Sequence, residues 1–382
     1  MEYRVLGRTG LKVSQIGLGC EGFIDKSEEE VKAFVTRAEE LGINFIDLYS
    51  PNPILRSCLG NAIKHTREKW ILEAHLSTIW KNEQYLRTRK IEEVKIGFED
   101  LLKRLQTDYI DIGMIHYVDA QQDFDEVFNG EIIEYAKTLK DKGKIKYIGL
   151  SSHNPIVAMK AIESGLIDVL LFSINPCYDM LPASEDIDDL WKDENYAKPL
   201  TNIDPDRQAL YEMCAREGVA ITVMKAFGGG DLLDEKLSPF GIAMTTHQCI
   251  HYCLTRPAVA SVMAGAHTIE EMELSASYCY VSEEEKDFAL VLSHIPKHSF
   301  IGNCVYCGHC APCAKGIDIA SVHKFLDLCV AQGEIPETVR EHYKALKHHA
   351  SECIECGSCM RNCPFQVHVI EKMKKAVEIF GY

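Results

Sequence analysis

The sequence lacks an excess of positive charge: 41 Lys and Arg residues face 57 Asp and Glu, a formal net charge of −16. Binding a phosphate backbone needs a basic patch, and none can be traced along the chain, so nucleic acid is not an expected partner. Also missing is any apolar run approaching the roughly 20 residues that cross a bilayer. The opening MEYRVLGRTG has no charged-then-apolar leader pattern. The expected location is the cytoplasm, without a membrane partner. Disorder is excluded by an ordinary soluble balance of 46% hydrophobic and 26% charged residues, and 382 residues favour a large domain plus a small accessory one.

Cysteine, by contrast, is abundant. Sixteen cysteines in a reducing compartment do not read as a disulfide framework, which leaves metal ligation as the natural use. Cys20, Cys58, Cys177, Cys214, Cys249, Cys253, Cys279 and Cys329 are scattered and read as small buried hydrophobes. The other eight form the runs Cys304-x2-Cys307-x2-Cys310-x2-Cys313 and Cys353-x2-Cys356-x2-Cys359-x3-Cys363-Pro364. Three close thiolates can hold three corners of a 4Fe-4S cubane, while the fourth is placed to ligate the other cluster. The expected sets are Cys304, Cys307, Cys310 and Cys363 for one cluster, and Cys353, Cys356, Cys359 and Cys313 for the second. Zinc is the competing reading, although zinc sites usually group cysteines in pairs. The first run closes with two intervening residues, and Ala314 stands where a proline often follows, which makes Cys313 the weakest expected ligand. Between the runs, Ile319–Ala331 and Pro336–His348 read as helices, an insertion into a ferredoxin-like module.

From the N-terminus to about residue 280, short β-rich runs alternate with longer stretches of helical period. Strands are expected near Val13–Cys20, Asn44–Leu48, Trp70–His75, Tyr109–His116, Tyr147–Ser151, Val169–Ile174, Ala220–Ala226 and Val259–Gly265. Eight βα units predict a closed parallel (β/α)8 TIM barrel. An open doubly wound sheet is disfavoured, because Gly17-Leu-Gly19-Cys20-Glu21-Gly22 lacks the acidic residue that follows a dinucleotide fingerprint. Residues 2–13 read as two short strands that plug one barrel mouth, and Leu181–Asp206 as a long loop on the face where barrel active sites form. The expected organisation is a barrel over 1–280, a helical linker over 281–299 and the cysteine domain over 300–382.

Four segments, Leu6-Gly-Arg-Thr-Gly-Leu-Lys-Val13, Asn44-Phe-Ile-Asp47, Tyr109-Ile-Asp-Ile-Gly-Met-Ile-His116 and Met224-Lys225-Ala-Phe-Gly-Gly-Gly230, resemble the aldo/keto reductases. The tail is similar to the ferredoxin-like 4Fe-4S extension of one bacterial and archaeal branch of that family. The resemblance implies a nicotinamide-dependent carbonyl reductase with a catalytic Asp, Tyr, Lys and His. Asp47 and His116 match the Asp and His. Asn52 stands where the Tyr is expected, and His75 where the Lys is expected. An amide has no titratable proton near neutral pH and cannot replace a phenol as acid. His75, beside Asp47, is therefore a candidate acid, and Tyr49 a candidate phenol two residues along the same strand. The resemblance also places Ser151, Asn175, Tyr178, Lys225 and Gly228 near a nicotinamide cofactor. Around 264–275, however, it finds no basic residue to hold a 2′-phosphate and no adenine-binding pair.

Three readings follow. The first is an iron-sulfur oxidoreductase of an anaerobe, whose clusters relay electrons from a ferredoxin or flavoprotein to a small molecule on the barrel. In the second, NAD(P)H is the donor and the proton comes from a non-standard residue. The third is an electron carrier with a catalytically dead barrel.

Overall fold

The computed structural model describes residues 1–197, 199–293, 295, 299–330 and 335–382. Two short strands, β1 (Tyr3–Val5) and β2 (Lys12–Ser14), pair antiparallel. After them come β3 (Ile16–Gly19), β4 (Phe45–Leu48), β5 (Ile71–Leu76), β6 (Thr78–Lys81), β7 (Gln84–Arg87), β8 (Ile110–Ile115), β9 (Ile145–Ser152), β10 (Val169–Ser173), β11 (Ala220–Met224) and β12 (Val259–Gly265). Eight of these, β3, β4, β5, β8, β9, β10, β11 and β12, close a parallel barrel in that order, as the βα alternation predicts. Strands buried on both faces need continuous apolar runs, and Val169-Leu-Leu-Phe-Ser173 is buried at every position.

The expected first strand divides in two. Ser14 accepts from and donates to Asn44, with its N–H on Asn44 Oδ1 at 2.8 Å, and this turns the chain between the plug and β3. The plug lies at the N-terminal mouth, where the Arg8 N–H reaches the Gly218 carbonyl just ahead of β11. The opposite mouth is left open.

The helices α1 (Glu28–Leu41), α2 (Pro53–Ile63), α3 (Ile91–Leu105), α4 (Gln121–Phe128), α5 (Glu131–Asp141), α6 (Pro155–Glu163), α7 (Pro205–Glu217), α8 (Thr246–Thr255) and α9 (Ile269–Ser277) surround the barrel. Ser27 and Glu30 form a capping box on α1, and Gly42 ends it with a φ of 80°. Gly22 lets the loop after β3 pass the β12 loop, since a Cβ there would stand 1.9 Å from the Ala266 carbonyl oxygen. The expected long loop over 181–206 holds two short 3-10 turns, Ile187–Leu190 and Asp193–Tyr196, and gives its last two residues to α7.

The linker expected to be helical carries one four-residue helix, α10 (Ala289–Leu292), among its described residues; His294 lies outside them. Beyond residue 300 come α11 (Ile319–Val330), α12 (Glu337–Lys344), α13 (Ser358–Asn362) and α14 (Val369–Phe380). Ala331, the expected end of the first inserted helix, also lies outside the described residues. The helices α11 and α14 pack together, each beginning six residues after the last cysteine of a run, and α12 packs on α11.

Candidate active site

The C-terminal ends of β4, β5 and β8 bring Asp47, His75 and His116 side by side at the open mouth. His75 Nε2 lies 3.0 Å from Asp47 Oδ1, and His75 Nδ1 lies 2.6 Å from His116 Nδ1. Tyr49 stacks on His116 with ring centroids 6.3 Å apart. All four line one cleft of about 540 Å³. Burial, reinforced by His75 and the Arg89 guanidinium, holds His116 well below the usual imidazole range, so its ring stays neutral. Burial, with Glu21 and Asp47 adding to it, raises the Tyr49 phenol above its ordinary range and keeps it protonated.

Asn52 has a different task from the tyrosine that the family pattern places there. Its side-chain oxygen accepts from the N–H groups of Ile54 and Leu55 and caps α2 ahead of Pro53.

Three groups escape the sequence reading. Tyr85 reaches the site from the β6–β7 hairpin, its hydroxyl 2.6 Å from His116 Nε2. This hairpin turns on Asn82 and Glu83 with φ of 53° and 59°, a pair of left-handed residues. The usual Gly at the second position is replaced by Glu, so the local signal was only the alternation around Trp80 and Tyr85. Asp119 holds the cleft-lining His153 by an Oδ2 to Nδ1 contact of 2.8 Å. Glu73 lies inside the barrel against Thr222, and burial, with Asp47 nearby, pushes its carboxyl well above the usual range.

Of the residues expected near a nicotinamide, Ser151 and Lys225 line the cleft, as do Gly229 and Gly230 beside Gly228. Gly228 itself, Asn175 and Tyr178 do not. Asn175 is fully buried; its Oδ1 accepts from the Cys177 and Tyr178 N–H groups while its Nδ2 donates to the Lys225 carbonyl. It clamps the loops after β10 and β11, which positions Lys225. The cleft continues past Phe227 and Thr246 to His267, Glu271 and Ser275.

The two cysteine runs share one backbone pattern. Tyr306 and Glu355 stand just before the second cysteine with φ of 58° and 55°, and Gly308 and Gly357 just after it with φ of 84° and 74°. Left-handed residues interleaved with right-handed ones are the backbone pattern that can form an anion- or iron-sulfur-binding concavity, and both runs carry such left-handed residues on each side of the second cysteine. The Cys356 thiol is lowered by N–H and hydroxyl donation from Ser358, and the Lys315 N–H lies 3.4 Å from Cys313 Sγ. Burial raises Cys304 to about 12, Cys307 to about 11 and Cys310 to about 12, so bare thiolates are disfavoured there. Cys363 adds its charge to Cys307 and Cys310. Cys313, Cys353, Cys356 and Cys359 line one small cavity. Among the described residues no three His, Cys, Asp or Glu groups close on a single metal ion.

Arg256 joins the two regions. Its guanidinium donates to the Val305 carbonyl next to Cys304 and lies between the Tyr252 and Tyr306 rings, 4.5 and 5.2 Å from their centroids. Because Arg256 precedes β12, the first run meets the barrel near the end opposite the cleft, one seven-residue strand away. That is on the order of 20 Å at the usual rise per residue.

The Aldo/keto reductase family model matches residues 15–248. The uncharacterized oxidoreductase YqkF of Bacillus subtilis (strain 168) is 28% identical over 71% of this chain and 89% of its own length. The aldo-keto reductase YhdN of the same organism is 35% identical over 47% and 54%. L-galactose dehydrogenase of Arabidopsis thaliana is 29% identical over 45% and 56%. Among solved structures, the holo form of aldo-keto reductase AKR11C1 from Bacillus halodurans superimposes with a TM-score of 0.59, 23% identity, and coverage of 75% of this chain and 94% of that one. The family match spans the barrel strands from β3 to β11 and the residues Asp47, His75 and His116. The chain belongs to the aldo/keto reductase family and is an oxidoreductase.

Proposed function

We propose that this oxidoreductase carries two 4Fe-4S clusters in residues 300–382, a ferredoxin-like domain in its cysteine pattern, and that they relay electrons to a small carbonyl substrate in the barrel cleft. The observation that carries this reading is the repeated cysteine loop. Two runs share left-handed residues on both sides of their second cysteine, and one predicted ligand set lines a single cavity. When bound, the clusters would supply electrons one at a time. Cys304, Cys307, Cys310 and Cys363 would hold one, and Cys353, Cys356, Cys359 and Cys313 the other. Reduction of a carbonyl to an alcohol takes two electrons and two protons. The buried contacts Tyr306, Arg256 and Tyr252 bridge the first run to the barrel. Asp47, His75 and His116 hold and move protons at the cleft, and Tyr49 closes over the substrate. A ferredoxin or flavoprotein would be the electron source.

A second reading, with NAD(P)H as hydride donor, is favoured by the shape of the cleft. It extends from His116 past Ser151, Lys225 and the Gly229-Gly230 turn to Ser275, joining the catalytic residues and the glycine turn in one cavity. A dinucleotide so placed would put its hydride donor near Asp47 and His75. Lys225 is the one Lys or Arg among the described residues lining the cleft, so a 2′-phosphate has no cationic partner at the far end. Equilibrium dialysis of the full chain against NADH and NADPH separates the readings. Binding at millimolar affinity or better, with hydride transfer to an aldehyde, supports the second. Failure to bind, together with cluster-dependent reduction, supports the first.

A further inference from the structure

We propose that Arg256 and Lys324 are the counter-charges of the first cluster, stabilising its reduced form and so raising its reduction potential where the cysteine domain meets the barrel. The proposal rests on the reading that Cys304, Cys307, Cys310 and Cys363 hold that cluster.

Four arginines are buried among the described residues: Arg56, Arg67, Arg207 and Arg256. Three of them have a carboxylate within ion-pair distance, Asp100 at 3.4 Å from Arg56, Asp111 at 3.1 Å from Arg67 and Asp179 at 3.6 Å from Arg207. Arg256 is 1% exposed and has no such carboxylate among the described residues, and its Nε and Nη1 have no hydrogen-bond partner. A guanidinium cannot shed its charge, so burying it unpaired is costly. The Tyr252 and Tyr306 rings, 4.5 and 5.2 Å away, offset part of that cost. What remains is a positive field beside the first run, because Arg256 Nη2 donates to the carbonyl of Val305, between Cys304 and Cys307.

Lys324, on α11, strengthens that field. Its ammonium lies 5.8 Å from the Tyr306 ring centroid, on a half-buried side chain with no ion pair among the described residues. Burial and the guanidinium groups of Arg4 and Arg256 disfavour the Lys324 charge, while Asp318 and Cys304 favour it, so the ammonium is within electrostatic reach of the first ligand. The neighbouring carboxylates leave the excess in place. Asp327 is paired with Lys372 at 2.9 Å and Asp287 with His309 at 2.7 Å, and Asp318 is exposed and held by Ser321. Around the second run the cations are of another kind: Arg361, beside Cys356, is exposed, and Lys374 is paired with Glu355 at 2.9 Å. Water and salt screen exposed charges far more than buried ones.

Each electron taken up makes a four-thiolate cluster one unit more negative, with no bond made or broken in the protein. Burial of the first run opposes that added charge, as it opposes the thiolates of Cys304, Cys307 and Cys310. Arg256 and Lys324 act in the other direction. A unit positive charge about 10 Å away, at an effective dielectric of about 20, favours the reduced form by about tenfold. With the electron supplied by the ferredoxin or flavoprotein donor, these two residues keep reducible the cluster that meets the barrel and is the more withdrawn from water.

The test uses the full chain isolated without oxygen, with midpoint potentials read by electron paramagnetic resonance during a redox titration. Arg256→Met and Lys324→Met should each lower one of the two midpoints by about 59 mV, a tenfold change in a one-electron equilibrium, with iron content unchanged. Arg256→Lys, which keeps the charge, should hold the potential well above that of Arg256→Met. The shift should persist in a Cys313→Ala background, which retains the first cluster alone. Unmoved potentials, an upward shift, an equal loss in Arg256→Lys and Arg256→Met, or a shift that disappears in the Cys313→Ala background overturns the assignment. If Arg256→Met fails to fold or loses iron, Lys324→Met, at a half-buried site, decides the question. Iron present with potentials unmoved removes the role of Arg256 and Lys324 alone; wild-type protein without iron removes the cluster reading and this role together.

Discussion

The barrel mouth and the cysteine domain assemble their chemistry in opposite ways. At the mouth, Asp47, His75, Tyr85 and His116 arrive from β4, β5, the hairpin and β8, and their meaning exists only once the barrel closes. In the cysteine domain, each run holds four thiols within about a dozen residues, and its backbone shape travels with the motif. A local device can be read from spacing; a distributed one depends on the fold that gathers it. The difference also extends to solvent. The mouth buries Asp47, His75 and His116 almost completely, whereas Cys356 is exposed and Cys313, Cys353 and Cys363 are partly so.

The largest expected effect lies in the cysteine domain. Cys363→Ala should remove the cluster of the first run and Cys313→Ala that of the second, each lowering iron from about eight to about four atoms per chain. Iron analysis with spectra of the reduced protein checks this, and equal loss of all iron in both variants would break the proposed pairing. At the mouth, His75→Ala should lower turnover by about 10²–10⁴-fold with iron content intact. Unchanged turnover would remove His75 from the mechanism and return the barrel to the status of a scaffold.

A smaller effect separates the regions by pH. His323 on α11 is buried with both ring nitrogens unpartnered, and burial, aided by Lys372, lowers it to about 3. Its folded value lies below the unfolded one of about 6.5, so folded protein resists protonation that the unfolded chain accepts. Stability from this group is intact above about 6.5 and is lost as pH falls toward 3. Relative to His323→Leu, the wild type should lose up to about 1.4 kcal/mol per pH unit in that window. Denaturant unfolding followed in the cysteine domain measures it, and parallel pH profiles would contradict it. The smallest expected change is in the barrel: Ser27→Ala removes the α1 capping box and should cost about 1 kcal/mol, read from the denaturation midpoint.

Most of the fold was legible because parallel strands and their covering helices leave distinct periods in the chain. The eight barrel strands lie where the apolar runs place them. The β6–β7 hairpin was not legible, because Asn82-Glu83 lacks the glycine that usually marks such a turn, and with it Tyr85 was missed. Asp47, His75, Tyr49 and His116 were found through the family pattern together with strand position. Asn175 and Tyr178 were placed near the cofactor by the family pattern yet do not line the cleft, Asn175 being buried with its amide bound to the Cys177, Tyr178 and Lys225 backbone. Of the helices around the cysteine runs, the two between them followed from periodicity, with α12 ending at Lys344 rather than His348, while α13 and α14 were not anticipated. The left-handed residues beside Cys307 and Cys356 cannot be read from Tyr306 or Glu355, neither of which favours that conformation.

The central claim is that the C-terminal region holds two iron-sulfur clusters. Metal and acid-labile sulfide analysis of the full chain, isolated without oxygen, tests it most directly. The expected result is about eight irons and eight sulfides per chain; zinc in place of iron, without sulfide, would contradict it.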